Sequence, residues 1–547
     1  MPDQTFSATK FYCLKAGAVV GLLLASALNS LPGPIVCSRV ADLNPGAVGS
    51  FPTNLTVCAG SLFFSAYTLS TGWEPWRYHG NTITLVSNIN DTADDIGSGI
   101  LEGNDSSPGG FTSFATAVYF SAFDPRRGGE LWRFDGTNAF RVTDINPDAS
   151  DTIKSNPASA WPSELTVLGN VLFFSADSGG LRPNYELWKY DGASPTQVAN
   201  IRPDSGSEHS SFPKGLTVFK NRLYFMANDG VNGYELWTST GTGATLLTNI
   251  NASGDSFPKY FTSFANKLFF QAFTDASGYE LWQTDGTNTS MVAELNPGYA
   301  SSFPESLIVY DNALYFSADD GTNGFELWSY DGLALNLVSN INLAGSSSPK
   351  NLTVFQNQLY FSANDGIHGW ELWKYDGTSA SLVTDLDPTG DSFPEQLTVG
   401  NGALYFVATT PDSGYELWRY DGNSANLVND INPGPGSSYP QWLTALNERL
   451  CFSAAEDGFS NWEPWVAEPA RVSFKTIKRL GADIELTWIA TAGRTNIVQS
   501  SATGMEGTFT NLSAPIIIPG TGQVVTNFVD VGAAHAASTR FYRILQP

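Results

Sequence analysis

Between residues 350 and 390, apolar and polar positions alternate with a period of two, in short runs separated by turn residues. The runs cover 352–355, 359–363, 370–375 and 381–386, with breaks at Asn357, at Asn364-Asp365-Gly366 and at Asp376-Gly377. Alternation at this period places successive side chains on opposite faces of a strand. An Asp-Gly pair between two such runs is a hairpin signal, since these residues tolerate the backbone of a tight turn. The pattern predicts four antiparallel strands, a to d.

The same unit recurs along the chain. A Glu-x-Trp tripeptide falls on strand c nine times, at Glu74, Glu130, Glu186, Glu235, Glu280, Glu326, Glu371, Glu416 and Glu463, with spacings of 56, 56, 49, 45, 46, 45, 45 and 47 residues. Each copy also has Phe-x-Ala on strand b, from Phe64 and Ala66 in the first to Phe452 and Ala454 in the ninth. The alanine shares the phenylalanine's face, which suits tapered packing between blades. On strand c, Glu371, Trp373 and Tyr375 share one face while Trp370 and Leu372 share the other, so both faces carry bulk. Four strands in ~45 residues describe a propeller blade.

The prediction is an all-β protein with a single large β-propeller of nine four-stranded repeats over residues 34–469. Nine exceeds the usual ~4–8 blades. Two smaller rings would need a linker, and none is evident between Asp42 and Glu468. The ninth copy lacks a good strand d, while Val40-Ala41-Asp42-Leu43-Asn44-Pro45-Gly46 matches Val428-Asn429-Asp430-Ile431-Asn432-Pro433-Gly434, the end of a strand d. The N-terminal strand is therefore expected to complete blade nine, which also argues against an open superhelix.

The line Gly369-Trp370-Glu371-Leu372-Trp373-Lys374-Tyr375-Asp376-Gly377-Thr378 resembles the signature of the ELWxxDGT-repeat proteins, exported bacterial proteins of largely uncharacterised function. The resemblance covers about 430 residues. Copies one and nine depart from it with Glu-Pro-Trp, and copy four has Thr240-Gly241 in place of Asp-Gly. The resemblance implies a class and transfers no catalytic residue.

The two ends differ from the repeats. Lys10 and Lys15 precede an apolar run over 16–28, and Ala25-Ser26-Ala27 offers a small-x-small cleavage site, so residues 1–27 read as a secretory signal peptide. That run is too short for a membrane span, and no other stretch approaches ~18 apolar residues. The mature chain is expected to be secreted or held at the cell surface, with no membrane span. Residues 470–547 carry candidate strands at 483–489, 495–500, 514–519, 524–530 and 540–546, which predict a small β-sandwich. This tail looks like the fibronectin-III-like modules that end many exported bacterial proteins. Cys37, Cys58 and Cys451 remain after loss of the leader, so at most one pair can form, and none has CxxC spacing.

Composition narrows the function. The net charge of −25 argues against nucleic acid, which needs clustered Lys and Arg, and against anionic membrane surfaces. Only four histidines occur (His79, His209, His368 and His535), their spacing excludes a His-Glu-x-x-His helix, and there is no Gly-Lys phosphate loop or nucleophile elbow. The repeated glutamate occurs once per blade and reads as a structural acceptor, and the repeated tryptophan as core. Strands a and c run one way along the ring axis, so the b–c and d–a loops share a rim. The expanded loops, 89–110, 146–161 and 178–184, lie on it. Variable loops on a rigid scaffold are where binding resides. The rim over blades one to three is the expected recognition face.

The rim is acidic. Asp229, Asp319, Asp320, Asp365 and Asp457 in b–c turns, with Asp94, Asp95, Asp148 and Asp151 in expanded loops, make it a candidate for calcium. Asp before Gly is equally good turn chemistry. The reading that follows is an exported, non-catalytic binding or adhesion protein for a polysaccharide or a surface protein. The rivals are a carbohydrate-active propeller enzyme and a structural envelope component. No catalytic residue is expected, and the oligomeric state is not legible.

Overall fold

The computed structural model describes residues 8–15, 18–26, 35–46, 48–95, 101–147, 157–179, 182–203, 209–469, 473–480, 483–491, 495–501, 510–514, 516–517, 523–531 and 539–545. Among them there is no helix. The chain divides into two compact units, residues 37–466 and, together, residues 1–36 with 467–547.

The larger unit is a nine-bladed β-propeller, each blade a four-stranded antiparallel sheet in the order a-b-c-d. Blade 7 shows the plan: Lys350–Phe355, Gln358–Asn364, Trp370–Tyr375 and Ala380–Thr384. Gln356 and Asn357 make the a–b turn with φ of 47° and 57°, the doubly left-handed backbone that a two-residue hairpin needs. Strand a of each blade lies against strand a of the next around the whole circle, and strand a of blade 9 lies against that of blade 1. Strand a is therefore innermost and the ring is closed.

The closing strand is the one expected. Ile35–Arg39 takes the d position beside strand c of blade 9, Trp462–Pro469. The pairing continues where the Val40 N–H donates to the Pro464 carbonyl at 2.8 Å. Val40 and Leu43 pack into the apolar cluster between blades 9 and 1, with Leu62, Phe64, Cys451 and Val466.

The Phe-x-Ala pair forms the core of every blade. All nine phenylalanines, Phe64 to Phe452, and all nine alanines are fully buried. Each phenylalanine faces the repeated tryptophan across the b–c pair, as Phe361 faces Trp373. Blades pack large against small: Tyr360 and Leu372 of blade 7 meet Leu404, Phe406 and Ala408 of blade 8. Burying one such phenylalanine contributes about 1.5–3 kcal/mol.

In the smaller unit, Ser473–Leu480, Asp483–Thr491 and Gln523–Asp530 form one sheet. Thr495–Ser501, Thr510–Asn511, Ile516–Ile517 and Thr539–Leu545 belong to another, to which Ala8–Lys15 and Ala18–Ser26 add a hairpin. Ile484, Leu486 and Trp488 of the first sheet cluster with Val498 and Tyr542 of the second. The Tyr542 hydroxyl donates to Asp530 at 2.8 Å. Cys37, Cys58 and Cys451 are thiols, none of them in a disulfide.

Candidate functional site

The repeated glutamate builds the joint between blades. In blade 7, Glu371 is fully buried and accepts the N–H groups of Leu386 and Ser392 at 3.0 and 3.1 Å and the Ser392 hydroxyl at 2.6 Å. Leu386 lies just beyond strand d, and Ser392 opens the Ser-Phe-Pro segment that leads into blade 8. The Ser392 carbonyl in turn accepts the Thr409 N–H of strand b in blade 8 at 2.9 Å. One carboxylate thus fixes the end of its own blade and positions the start of the next.

All nine glutamates are fully buried. Eight of them hold a serine of this kind, at 2.5–2.8 Å from Ser50, Ser106, Ser211, Ser256, Ser302, Ser347, Ser392 and Ser438. Blade 2 has Ala160 at that position, and there the hydroxyl of Thr143, two residues beyond strand d, supplies the bond to Glu130 at 2.7 Å. The ring-closing joint uses the same parts. Glu463 accepts from the Leu43 N–H at 3.1 Å and from Ser50, and the Ser50 carbonyl accepts the Tyr67 N–H of blade 1 at 2.7 Å.

The joints place the b–c and d–a loops on one rim, as the strand directions require. The Trp370 N–H at the end of the b–c turn donates to Asp391 in the d–a loop at 2.7 Å. A Cβ on Gly369 of that turn would stand 2.4 Å from the Gly390 carbonyl oxygen, so the two loops touch. Among the described residues, large apolar side chains stand almost fully exposed at the tips of this rim: Val231, Ile367 and Phe459 on b–c turns, and Tyr299 and Leu343 on d–a loops. The opposite rim, made of the Asp-Gly turns, presents Leu333 in the same way.

The d–a loops carry a second set of side chains that recurs in every joint. The residue before proline in each joint is Phe51, Ser107, Trp161, Phe212, Phe257, Phe303, Ser348, Phe393 or Tyr439, and all nine have φ between 43° and 47°. Side-chain-bearing residues rarely adopt this left-handed backbone. Most of the aromatic rings stack on the residue that opens strand c, as Phe212 does on Tyr185, Phe257 on Tyr234 and Tyr439 on Tyr415, with centroids 5.5–5.6 Å apart. In the sequence the Ser-Phe-Pro repeat follows its glutamate at a variable distance and reads only as a long connection.

The calcium candidates lie at the b–c turns of blades 4, 6, 7 and 9 and close their own turns. Asp229 accepts the N–H groups of Val231 and Asn232 and the Asn232 amide, at 2.6–2.9 Å. Asp320 repeats this with Thr322 and Asn323, and Asp365 with Ile367 and His368, whose Nδ1 lies 2.7 Å away. Asp457 holds Phe459, Asn461 and both the N–H and hydroxyl of Ser460, and Asp319 accepts the Gly321 N–H at 2.7 Å. Burial alone would raise the Asp229 carboxyl, but the bonds from Asn232 and Val231 outweigh it and hold it below the usual range. Among the described residues no group of three His, Cys, Asp or Glu side chains could hold a metal ion. Because each carboxylate already has its donors, we expect the melting temperature to be the same with Ca²⁺ and with chelator. A rise of several degrees with Ca²⁺ would show that the turns rearrange around the ion.

Of the expanded loops, 89–110 contains a short hairpin, Ala93–Asp95 with Leu101–Gly103. It is tied down by the Tyr67 hydroxyl on Glu102 at 2.5 Å and by Arg126 of blade 2, bidentate on Asp91 at 2.9 and 3.1 Å. Asp94 is exposed on this hairpin, and the side chain of Asp95 lies outside the described residues. Asp148 and Asp151, most of loop 146–161, and residues 180–181 of loop 178–184 also lie outside them.

No family model matches the chain, and no curated protein is similar to it. Among solved structures, a puromycin-hydrolyzing peptidase of Mycobacterium tuberculosis is 10% identical over 84% of this chain and 61% of its own, with a TM-score of 0.36. A puromycin hydrolase is 12% identical over 70% of this chain and 58% of its own, with a TM-score of 0.33. A GH74 xyloglucanase from Xanthomonas campestris is 12% identical over 82% and 75%, with a TM-score of 0.28. The chain spans about three fifths of the length of the two puromycin hydrolases. Likeness at this level transfers neither reaction to this chain.

Proposed function

We propose that this is an exported, non-catalytic binding or adhesion protein whose b–c and d–a rim recognises a polysaccharide or a surface protein. One observation carries the reading: exposed apolar side chains at turn tips concentrate on that rim, at Val231, Tyr299, Leu343, Ile367 and Phe459. Exposed apolar patches on a rigid scaffold mark interaction sites. Export rests on the leader-like sequence of residues 1–27. No helix among the described residues is long and apolar enough to cross a membrane. A carbohydrate-active enzyme would need an accessible carboxylate pair ~5–10 Å apart. The nine repeated glutamates do not supply one, because each is buried and held by donors of its own joint.

The test is adsorption of the purified protein to cell-envelope fragments. The double substitution Ile367→Asp and Phe459→Asp is expected to reduce adsorption several-fold while leaving the melting temperature unchanged. Adsorption that survives it and is lost instead on Leu333→Asp would place recognition on the opposite rim and sink the proposal.

A further inference from the structure

The aromatic residue before proline is not required by the joint that holds it. Ser348 occupies the position between blades 6 and 7 with φ 46°, and its N–H donates to the Phe325 carbonyl at 2.9 Å. Phe393 makes the same bond to Trp370 at 3.1 Å with φ 45°. Ser107 also keeps φ 46° between blades 1 and 2. Serine therefore serves the backbone as well as phenylalanine does, and seven aromatic residues in nine joints need another reason.

Across blades 5 and 6 these rings merge into a continuous strip. Tyr279 stacks on Phe303 at 5.3 Å and 28°, and Phe303 continues to Phe325 at 6.5 Å and 28°. Phe303 is 43% exposed, Tyr260 on strand a of blade 5 46%, and Tyr299 on the same d–a loop as Phe303 87%. Two features indicate what such a strip takes. A cation already sits by the rings, with Lys259 Nζ 5.0 Å from the Tyr260 centroid and 5.6 Å from that of Tyr279. The strip is thus not an open cage for a cationic ligand. The net charge of −25 disfavours a polyanion. A flat, uncharged ligand with an apolar face and polar edges remains, and aromatic side chains with polar tips suit that chemistry.

We propose that the strip formed by Tyr260, Tyr279, Tyr299 and Phe303 binds a neutral polysaccharide, with sugar rings laid on the aromatic faces. This rests on the rim reading above and names its ligand class. The internal repeats supply a substitution set that the fold tolerates. Phe303→Ser copies Ser107 and Ser348, Tyr260→Asn copies Asn54 and Asn351 at the equivalent left-handed position, and Tyr299→Ala changes an exposed tip.

The experiment is affinity electrophoresis of the full chain in gels containing hydroxyethylcellulose, xylan, galactomannan or, as the polyanion, alginate. At least one neutral polymer is expected to retard the wild type. The triple variant should then need about tenfold more polymer for the same retardation, with an unchanged melt. Retardation by alginate alone, by no polymer, or equally for wild type and triple variant would each overturn the inference. In the last case the variant carrying Ile367→Asp and Phe459→Asp separates the two readings. If it is released, the rim still binds but not through this strip. If it is not, the rim reading fails as well.

Discussion

Removing residues 1–43 should open the ring and abolish its cooperative melt. The truncation deletes strand d of blade 9, the Val40 bond to Pro464, and the Leu43 N–H that Glu463 accepts. It also uncovers the apolar cluster in which Val40 and Leu43 meet Leu62, Phe64 and Val466. A handful of strand hydrogen bonds at about 1 kcal/mol each and two apolar side chains sum to a loss on the order of 5 kcal/mol. Native proteins hold only about 5–15 kcal/mol in total, so the loss falls on the scale of the whole. The control is a chain beginning at residue 34, which keeps the closing strand. Its propeller should melt as in the full chain. A truncation lacking residues 1–43 that melts as sharply as this control would show that the ring does not depend on its N-terminal fastener.

Glu371→Ala should be the most damaging single substitution within a blade. It leaves the Leu386 N–H buried without its acceptor and strips one of two acceptors from the Ser392 N–H and hydroxyl, which also reach the Trp370 carbonyl at 2.9 and 3.1 Å. One orphaned buried donor costs about 1–3 kcal/mol and each weakened bond about 0.5–1 kcal/mol, so a loss of about 2–4 kcal/mol is expected in chemical denaturation. Ser392→Ala should cost far less, since Ala160 already occupies that position in blade 2. A Glu371→Ala protein within about 1 kcal/mol of the wild type would refute the clamp.

The same clamp predicts a pH dependence. Burial pushes the Glu371 carboxyl up to about 7, against the lowering effect of its bonds from Ser392 and Leu386. Glu74, Glu130, Glu186, Glu235 and Glu416 are likewise pushed up to about 7 by burial. The proton has a place to go, because the Ser392 hydroxyl lies 3.1 Å from the Trp370 carbonyl and can donate there while accepting from a protonated carboxyl. The folded chain then binds these protons more tightly than the unfolded one. Their contribution to stability is fully present below the ordinary carboxyl value near 4.5 and is lost as pH rises through about 7. Denaturant midpoints should fall between pH 5 and pH 8, and Glu371→Gln should remove one blade's share of that fall.

Strand order, blade count and ring closure were legible because each is written locally. Period-two runs and Asp-Gly turns define the hairpins, and residues 40–46, which follow the orphan strand, match residues 428–434 at the end of strand d in blade 8. The clamp was half legible. The glutamates read as structural, but seven of the eight serine partners lie 21–32 residues further on in what looks like loop sequence, the eighth, Ser50, lies 413 residues before Glu463, and the direction of a hydrogen bond is not written in a repeat. The rim aspartates show a different limit. The same residue in the same Asp-Gly context serves as a turn acceptor or as a metal ligand, and only the geometry of Asp229 and Asn232 shows the acceptor role. Strand Ser473–Leu480 was missed because a bulge between Phe474 and Thr476 shifts its register and breaks the alternation.

Nine joints hold the propeller together, and the ninth joins its two ends. Hydrogen exchange of the peptide spanning residues 35–51 tests this most directly. The Val40, Leu43 and Ser50 amides should exchange as slowly as the Leu386 and Ser392 amides of an interior joint, because they donate to Pro464 and Glu463 as those do to Glu371. Exchange of residues 35–51 within seconds, with residues 380–393 still protected, would mean that the ring is not fastened by its N-terminal strand.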